Sequence, residues 1–244
     1  ALMSDFGTAL IFFVAFLCIA FLRTGDLPSI VMITAAAGFA GGIVLRFKPY
    51  VLARFAVWRH AWEYAQEEGY QQTRTMSAVA SGGLFGAGPE EAWLKYVGAA
   101  NTDLVFGVVS EEFGLLLALC AAAAVILLGI YALRAAGRSR SSFYAIAACA
   151  TAAMLVFQTT LNVLGSVDLL PLTGVTFPFV SMGGSSMLSC WGLLAYLQAA
   201  APPPVSVKAA PKAPAPAAKP PQATGFLDEL GVATDDIFGK EDAR

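Results

Sequence analysis

The chain is poor in charge and almost without histidine: 13% of its 244 residues are charged, and His60 is the single histidine. With so few charges and a mean hydropathy of +0.67, a water-soluble core is the weaker description. The net charge is only −2 and the Lys and Arg residues are scattered, so no basic stripe marks a nucleic-acid partner, and that class is set aside. Cysteine is sparse too. Cys18, Cys120, Cys149 and Cys190 each lie in an apolar run with no CxxC spacing, which argues against a disulfide framework or a zinc site and leaves them as small buried hydrophobes. No metal-ligand set is expected. A signal-peptide pattern is missing as well, because no basic stretch precedes the first apolar run; the expectation is a piece of something longer.

What the chain has in abundance is apolar sequence, 57% of all residues. A membrane-spanning helix needs about 20 mostly apolar residues. Five segments approach or meet this, at about 6–22, 28–45, 104–133, 142–164 and 184–200. The predicted fold class is therefore an all-α polytopic membrane protein with five spans. The second span is rich in Ala and Gly (Ala35-Ala36-Ala37-Gly38, Gly41-Gly42), which suits close helix packing in lipid.

Charge sets the expected topology. Arg134, Arg138 and Arg140 follow span three, and Lys208, Lys212 and Lys219 follow span five, so both places are expected on the cytoplasmic side. The loops at about 46–103 and 165–183 then face outward. Arg46, Lys48, Arg54, Arg59 and Arg74 would lie outside, against the positive-inside tendency: either the topology differs or those cations have a task there. Beyond the helices, residues 201–224 are nearly all Ala, Pro and Lys, an extended linker by composition. Residues 225–244 mix acidic and apolar residues, a pattern shared by docking peptides and solvated tails.

The outward loops hold the candidate chemistry. Gly82-Gly83-Leu84-Phe85-Gly86-Ala87-Gly88-Pro89 supplies flexible backbone, and Asn101-Thr102-Asp103 reads as a capping signal before a long helix. As an ordinary cap, Asp103 would simply complement the helix dipole. Helical spacing, however, places Asp103, Gly107, Ser110 and Gly114 on one narrow, small and polar stripe that should face protein or water. Glu111 and Glu112 lie off that stripe, at a depth where carboxylates need partners; they are either paired structurally, the reading favoured for Glu112, or part of a polar cavity. Thr151, Gln158 and Asn162 share a face of span four, where interhelical hydrogen bonding is the simplest reading.

Between spans four and five, Asp168 to Ser186 is apolar yet interrupted by Pro and Gly. Such backbone is tolerated at membrane depth only where protein or a cavity satisfies it, so a re-entrant segment is expected. Gly183-Gly184-Ser185-Ser186 then opens a helix whose N–H groups and hydroxyls could hold an anion, or could be a plain cap.

Four blocks, taken in order, resemble the C-terminal half of the SEDS family, FtsW and RodA. They are Ser4-Asp5-Phe6-Gly7-Thr8-Ala9-Leu10; Gly69-Tyr70-Gln71 with the Ser81 to Gly88 run; Thr102-Asp103-Leu104-Val105-Phe106 with Glu111-Glu112-Phe113-Gly114; and Leu170-Pro171-Leu172-Thr173-Gly174 through Pro178 to Ser186. The resemblance covers about residues 1–200. It implies a ten-helix fold in a bacterial cell membrane, with five spans not in this chain, and implies that this piece alone is inactive. The activity implied is an inverting peptidoglycan glycosyltransferase that polymerises lipid II, an undecaprenyl-pyrophosphate-linked disaccharide-pentapeptide, beside a class B penicillin-binding protein. By motif, the family's essential aspartate falls on Asp103, with Thr102 and Ser181 in the same blocks. Departures are Gly98-Ala99-Ala100-Asn101 where the family has proline, glutamate and histidine, an absent asparagine-proline before Gly69, and Met182 in place of tyrosine.

On this reading Asp103 takes a hydroxyl proton as the glycosidic bond forms, a role worth about 100- to 10,000-fold. The departing pyrophosphate needs donors: Arg46, Lys48, Arg54, Lys95, the Gly183 to Ser186 turn or a divalent cation. Two rival functions follow from the same features: a lipid II transporter, since broken outer segments and intramembrane carboxylates also describe carriers, and a non-catalytic scaffold for the transpeptidase.

Overall fold

The apolar runs become helices in the computed structural model, which describes residues 6–200 apart from Lys48 and Arg140. Those two cations, the linker at 201–224 and the tail at 225–244 lie outside the described residues. Eight α-helices occur among them: α1 (Phe6–Thr24), α2 (Leu27–Phe47), α3 (Pro49–Val57), α4 (Tyr70–Gly82), α5 (Val105–Phe113), α6 (Leu115–Arg138), α7 (Ser142–Ser166) and α8 (Gly184–Ala200). A 3-10 turn spans Leu94–Tyr96. By length and composition α1, α6 and α7 can each cross a membrane, while α2 contributes a shorter apolar stretch, Leu27–Ile43. The 17 residues of α8 sit at the lower limit for a span.

Helix α7 is central, packing against α1, α6 and α8 and touching α4 and α5. Its contact with α6 is made by small residues. Buried Ala118, Ala122, Val125, Gly129 and Ala132 of α6 recur at helical spacing, facing Ala148, Ala152 and Leu155 of α7. A Cβ added to Gly129 would stand 2.6 Å from the Val156 side chain, so the approach depends on glycine. Small residues let backbones come close where lipid supplies no hydrophobic drive for association. Large apolar side chains point outward instead, among them Phe12, Phe16, Phe39, Leu127, Leu133 and Phe143. In water this would be an extensive apolar surface; against lipid tails it is the favoured arrangement.

The small residues of α2 behave differently from the close packing expected of them. Added Cβ atoms at Gly38, Gly41 and Gly42 would meet nothing within 4 Å, so this face is open in the described residues.

Span three, read as one run over 104–133, is two helices. Gly114 separates α5 from α6 at φ 93° and ψ 157°, a conformation reserved for glycine. The glycine loop after α4 causes the break by bonding it on both sides. Ala87 N and Gly88 N donate to the carbonyls of Glu111 and Glu112, and Leu115 N and Leu116 N donate to the carbonyls of Gly83 and Leu84. The backbone groups that the break frees are thus paired with another segment. The loop at 46–103 is also more ordered than its glycines suggest, since α3, α4 and the 3-10 turn all lie within it.

Candidate functional site

The expected re-entrant segment is non-helical between α7 and α8, and Leu172, Thr173, Val175, Phe177 and Pro178 within it are buried. Its backbone is satisfied largely by side chains. Trp58 Nε1 donates to Leu169 O at 3.1 Å, Arg54 Nη1 to Leu172 O at 2.6 Å, Asn162 Nδ2 to Val175 O at 2.7 Å and Gln158 Nε2 to Thr176 O at 2.9 Å. Gln158 and Asn162 therefore serve this segment, where helix-to-helix bonds were the simplest expectation. Buried broken backbone is stable only when accounted for in this way. Gly7 of α1 backs the segment, where an added Cβ would run into the Val175 side chain and the Thr173 carbonyl.

The segment holds the loop bearing Asp103. Three successive carbonyls are fixed: Asn101 O by Met182 N at 2.9 Å, Thr102 O by Ser181 Oγ at 2.6 Å and Asp103 O by Asn162 Nδ2 at 2.9 Å. Asp103 is not the helix cap. Leu104 occupies that position, with no side-chain cap bond, because Ala99 at φ 64° turns the chain so that its carbonyl accepts from the amides of Thr102, Asp103 and Leu104. The half-buried Asp103 carboxylate reaches the broken segment instead: its Oδ2 lies 3.3 Å, and Arg54 Nη1 3.5 Å, from where a Gly174 Cβ would stand. Gly174 has φ 72°, so a side chain there would strain the backbone as well as press on both charged groups. Arg54 also lines a cavity of about 470 Å³ with Glu67, Glu68, Tyr70, Gln71, Gln72 and Leu172.

The rest of the expected stripe faces α4 and its glycine loop: Gly107 abuts Thr75 and Leu94, and the carbonyl of Ser110 lies against Gly82. Glu111, 1% exposed, accepts from Trp93 N at 3.1 Å and Leu94 N at 3.0 Å, so it caps the 3-10 turn. Glu112 is half-buried, and its carbonyl takes the Gly88 amide. Lys95 is engaged in its own loop, donating to Pro89 O at 2.6 Å with its ammonium over the Tyr96 ring. Arg46 is exposed in the last turn of α2. The Thr102 hydroxyl donates to Ala99 O. Ser181 Oγ also accepts from Phe177 N at 2.7 Å, which makes it a clamp within the turn. At the start of α8, Gly184 and Ser185 are exposed, Gly183 N bonds Ser181 O, and Ser186 Oγ pairs with Thr176 Oγ1 at 2.7 Å. Arg54 and Asp103 are thus brought together, while Lys95 is held by its own loop.

Comparison with known proteins fixes the relationship. Residues 1–202 match the family model FTSW_RODA_SPOVE, described as cell cycle protein. The chain belongs to the FtsW/RodA/SpoVE family. Among its relatives, the peptidoglycan glycosyltransferase RodA of Mycobacterium leprae (strain TN) is 34% identical over 196 residues, covering 79% of this chain and 42% of the relative. The probable peptidoglycan glycosyltransferase FtsW of Bacillus subtilis (strain 168) is 30% identical over 215 residues, covering 81% and 52%. The fold is shared with a chain of the solved structure "Structural coordination of polymerization and crosslinking by a peptidoglycan synthase complex", at a TM-score of 0.63 and 24% identity, over 82% of this chain and 56% of that one. This chain spans about half the length of the curated relatives it matches. Family membership and the apolar helices make it a bacterial membrane protein.

Within this FtsW/RodA-type frame, the Gly69-Tyr70-Gln71 block gains a place, since Tyr70 and Gln71 line the cavity beside Arg54. Met182 contributes through its backbone amide while its side chain is 76% exposed, so replacing an aromatic ring there leaves the bond to Asn101 intact. Trp58, Gln72, Asp168 and Thr176 were not singled out from sequence. Each acts through one to three hydrogen bonds to backbone or side chains elsewhere in the chain, and no spacing pattern announces such pairings.

Proposed function

We propose that the protein containing this chain is a peptidoglycan glycosyltransferase that polymerises lipid II, with Asp103 as its base. The observation that supports this most is the delivery of the Asp103 carboxylate to the same small space as the Arg54 guanidinium, on a loop whose three carbonyls are individually fixed. In the reaction, the 4-hydroxyl oxygen of the acceptor N-acetylglucosamine bonds to the anomeric carbon of the donor. The bond from that carbon to the pyrophosphate oxygen breaks, and its electron pair leaves with the pyrophosphate. Asp103 takes the hydroxyl proton, and attack from the face opposite the leaving group inverts the anomeric carbon. Arg54 supplies positive charge for the departing phosphates. Exposed Gly184 and Ser185 at the start of α8 are further donors for them, and a divalent cation could share that task; Thr102, Ser181 and Gly183 support the site through its turns.

The finer assignments belong to the same proposal: an extracytoplasmic site, a cytoplasmic C-terminal tail at 225–244 after a linker at 201–224, and a class B penicillin-binding protein as partner. The deciding experiment is glycan polymerisation from lipid II by the full-length parent with that transpeptidase, comparing Asp103 with Asn and Ala. A loss of about 100- to 10,000-fold in rate is expected of both, with the complex still assembled. Wild-type polymerisation by Asp103→Asn would point to the scaffold function, and movement of lipid II across vesicles without polymerisation would point to the transporter. Arg54→Ala is expected to weaken lipid II binding; unchanged binding and polymerisation would remove Arg54 from the site.

A further inference from the structure

Two non-glycine residues in left-handed backbone are bonded to each other across the chain: Arg59 at φ 65°, shortly after α3, and Asp168 at φ 58°, shortly after α7. That conformation costs free energy at any residue with a Cβ, least for Asn and Asp, and it persists where surrounding contacts enforce it. Here the contacts converge on one atom. Asp168 Oδ1 accepts from Arg59 N at 3.1 Å and from Gln72 Nε2 at 3.1 Å. Gln72 is 3% exposed, so its amide has few alternatives. The neighbouring Leu169 carbonyl takes Trp58 Nε1.

Arg59 and Gln72 bracket the stretch that contributes Glu67, Glu68, Tyr70 and Gln71 to the cavity wall. Inside that stretch the backbone is held by short turns, such as Glu63 N to His60 O and Gly69 N to Tyr64 O, which fix its local shape, while its position on the protein is set from outside, by Gln71 Nε2 donating to Gly98 O at 3.2 Å and by the two bonds to Asp168. One carboxylate oxygen thus grips both ends of the stretch that carries the wall. Six residues earlier in the same helix end, Asn162 grips the opposite side by its bond to Asp103 O.

We propose that Asp168 is a positioning residue that sets the distance between the Glu67 to Gln72 wall and the Asp103–Arg54 pair, and so tunes how the cavity receives its substrate. The identity of that substrate rests on the polymerase reading; the grip itself does not. The test uses the full-length parent with its transpeptidase, and three variants that separate backbone from acceptor. Asp168→Asn keeps the Oδ1 acceptor and tolerates positive φ, Asp168→Gly keeps the conformation and removes the acceptor, and Asp168→Ala loses both.

Asp168→Asn is expected to match wild type in KM for lipid II and in hydrogen exchange. Asp168→Gly should raise KM about three- to tenfold, the size of effect that losing one ordinary hydrogen bond gives, with kcat little changed. Its amide exchange should rise across residues 59–69 while α1, α6 and α7 keep wild-type protection. Asp168→Ala should add a lowered melting temperature. Wild-type KM and wild-type exchange in Asp168→Gly would overturn the proposal, as would faster exchange spread evenly over all helices, which marks general destabilisation. Should Asp103→Asn polymerise normally, the catalytic reading falls, and the exchange pattern still decides the grip.

Discussion

The α6–α7 interface and the broken segment between α7 and α8 are both buried, and they are built on opposite plans. The interface repeats one kind of contact, apolar side chains packed on a row of mostly Ala and Gly, along several turns. In the broken segment four carbonyls are each taken by a different side chain: Trp58, Arg54, Asn162 or Gln158. Repetition tolerates the loss of one contact. A segment in which each bond is made once loses a defined piece of geometry with each substitution, and the candidate site depends on the second plan.

The contrast predicts an order of effects. Asn162→Leu should be the most severe, because it leaves the carbonyls of both Asp103 and Val175 buried without their donor, each at a cost of about 1–3 kcal/mol; polymerisation by the full-length parent should be lost and thermal unfolding should come earlier. Gly114→Ala should follow. A Cβ there meets the Leu84 carbonyl at φ 93°, a strain of about 1–3 kcal/mol read as a lowered melting temperature in detergent. Ser181→Ala removes the bond to Thr102 O and the acceptor for Phe177 N, so a loss of about 1–2 kcal/mol is expected, with polymerisation reduced more than helix content by circular dichroism.

Gly129→Ala, in the repetitive interface, should cost about 1 kcal/mol, since the obstacle is the end of the Val156 side chain. If it proves as damaging as Asn162→Leu, the contrast between the two plans fails. The smallest effect in this chain should come from Gly41→Ala, which meets nothing and gains helix propensity of up to about 1 kcal/mol. Measured in the full-length parent, destabilisation by Gly41→Ala would show that the α2 face is covered there.

The same contrast explains what was legible in the sequence. Apolar length identified α1, α2, α7 and α8 closely, and apolar Pro/Gly-interrupted sequence identified the broken segment, because burial in lipid writes itself into composition. The break at Gly114 was hidden, since one glycine in an apolar run is weak evidence and its cause lies thirty residues away in the Gly83 to Gly88 loop. The capping signal read at Asn101-Thr102-Asp103 fell one residue short of Leu104, because the left-handed turn at Ala99 has no glycine to announce it. Arg54 was legible as a cation out of place. Asp168 was not, because its role is a pairing with Arg59 and Gln72 that only the folded chain creates.

The three carbonyl bonds on Asn101, Thr102 and Asp103 also order events in time. Their partners are made later: Asn162 follows Asp103 by 59 residues and Ser181 follows Thr102 by 79. A nascent chain inserting from its N-terminus can place α1, α2 and α6 in the membrane while the aspartate loop is still unpinned, since chains fold progressively as they emerge. The carbonyls of Asn101 and Thr102 gain their partners only when Ser181 and Met182 emerge, so a ribosome that stalls after α7 leaves α1 to α7 made around an unfinished centre.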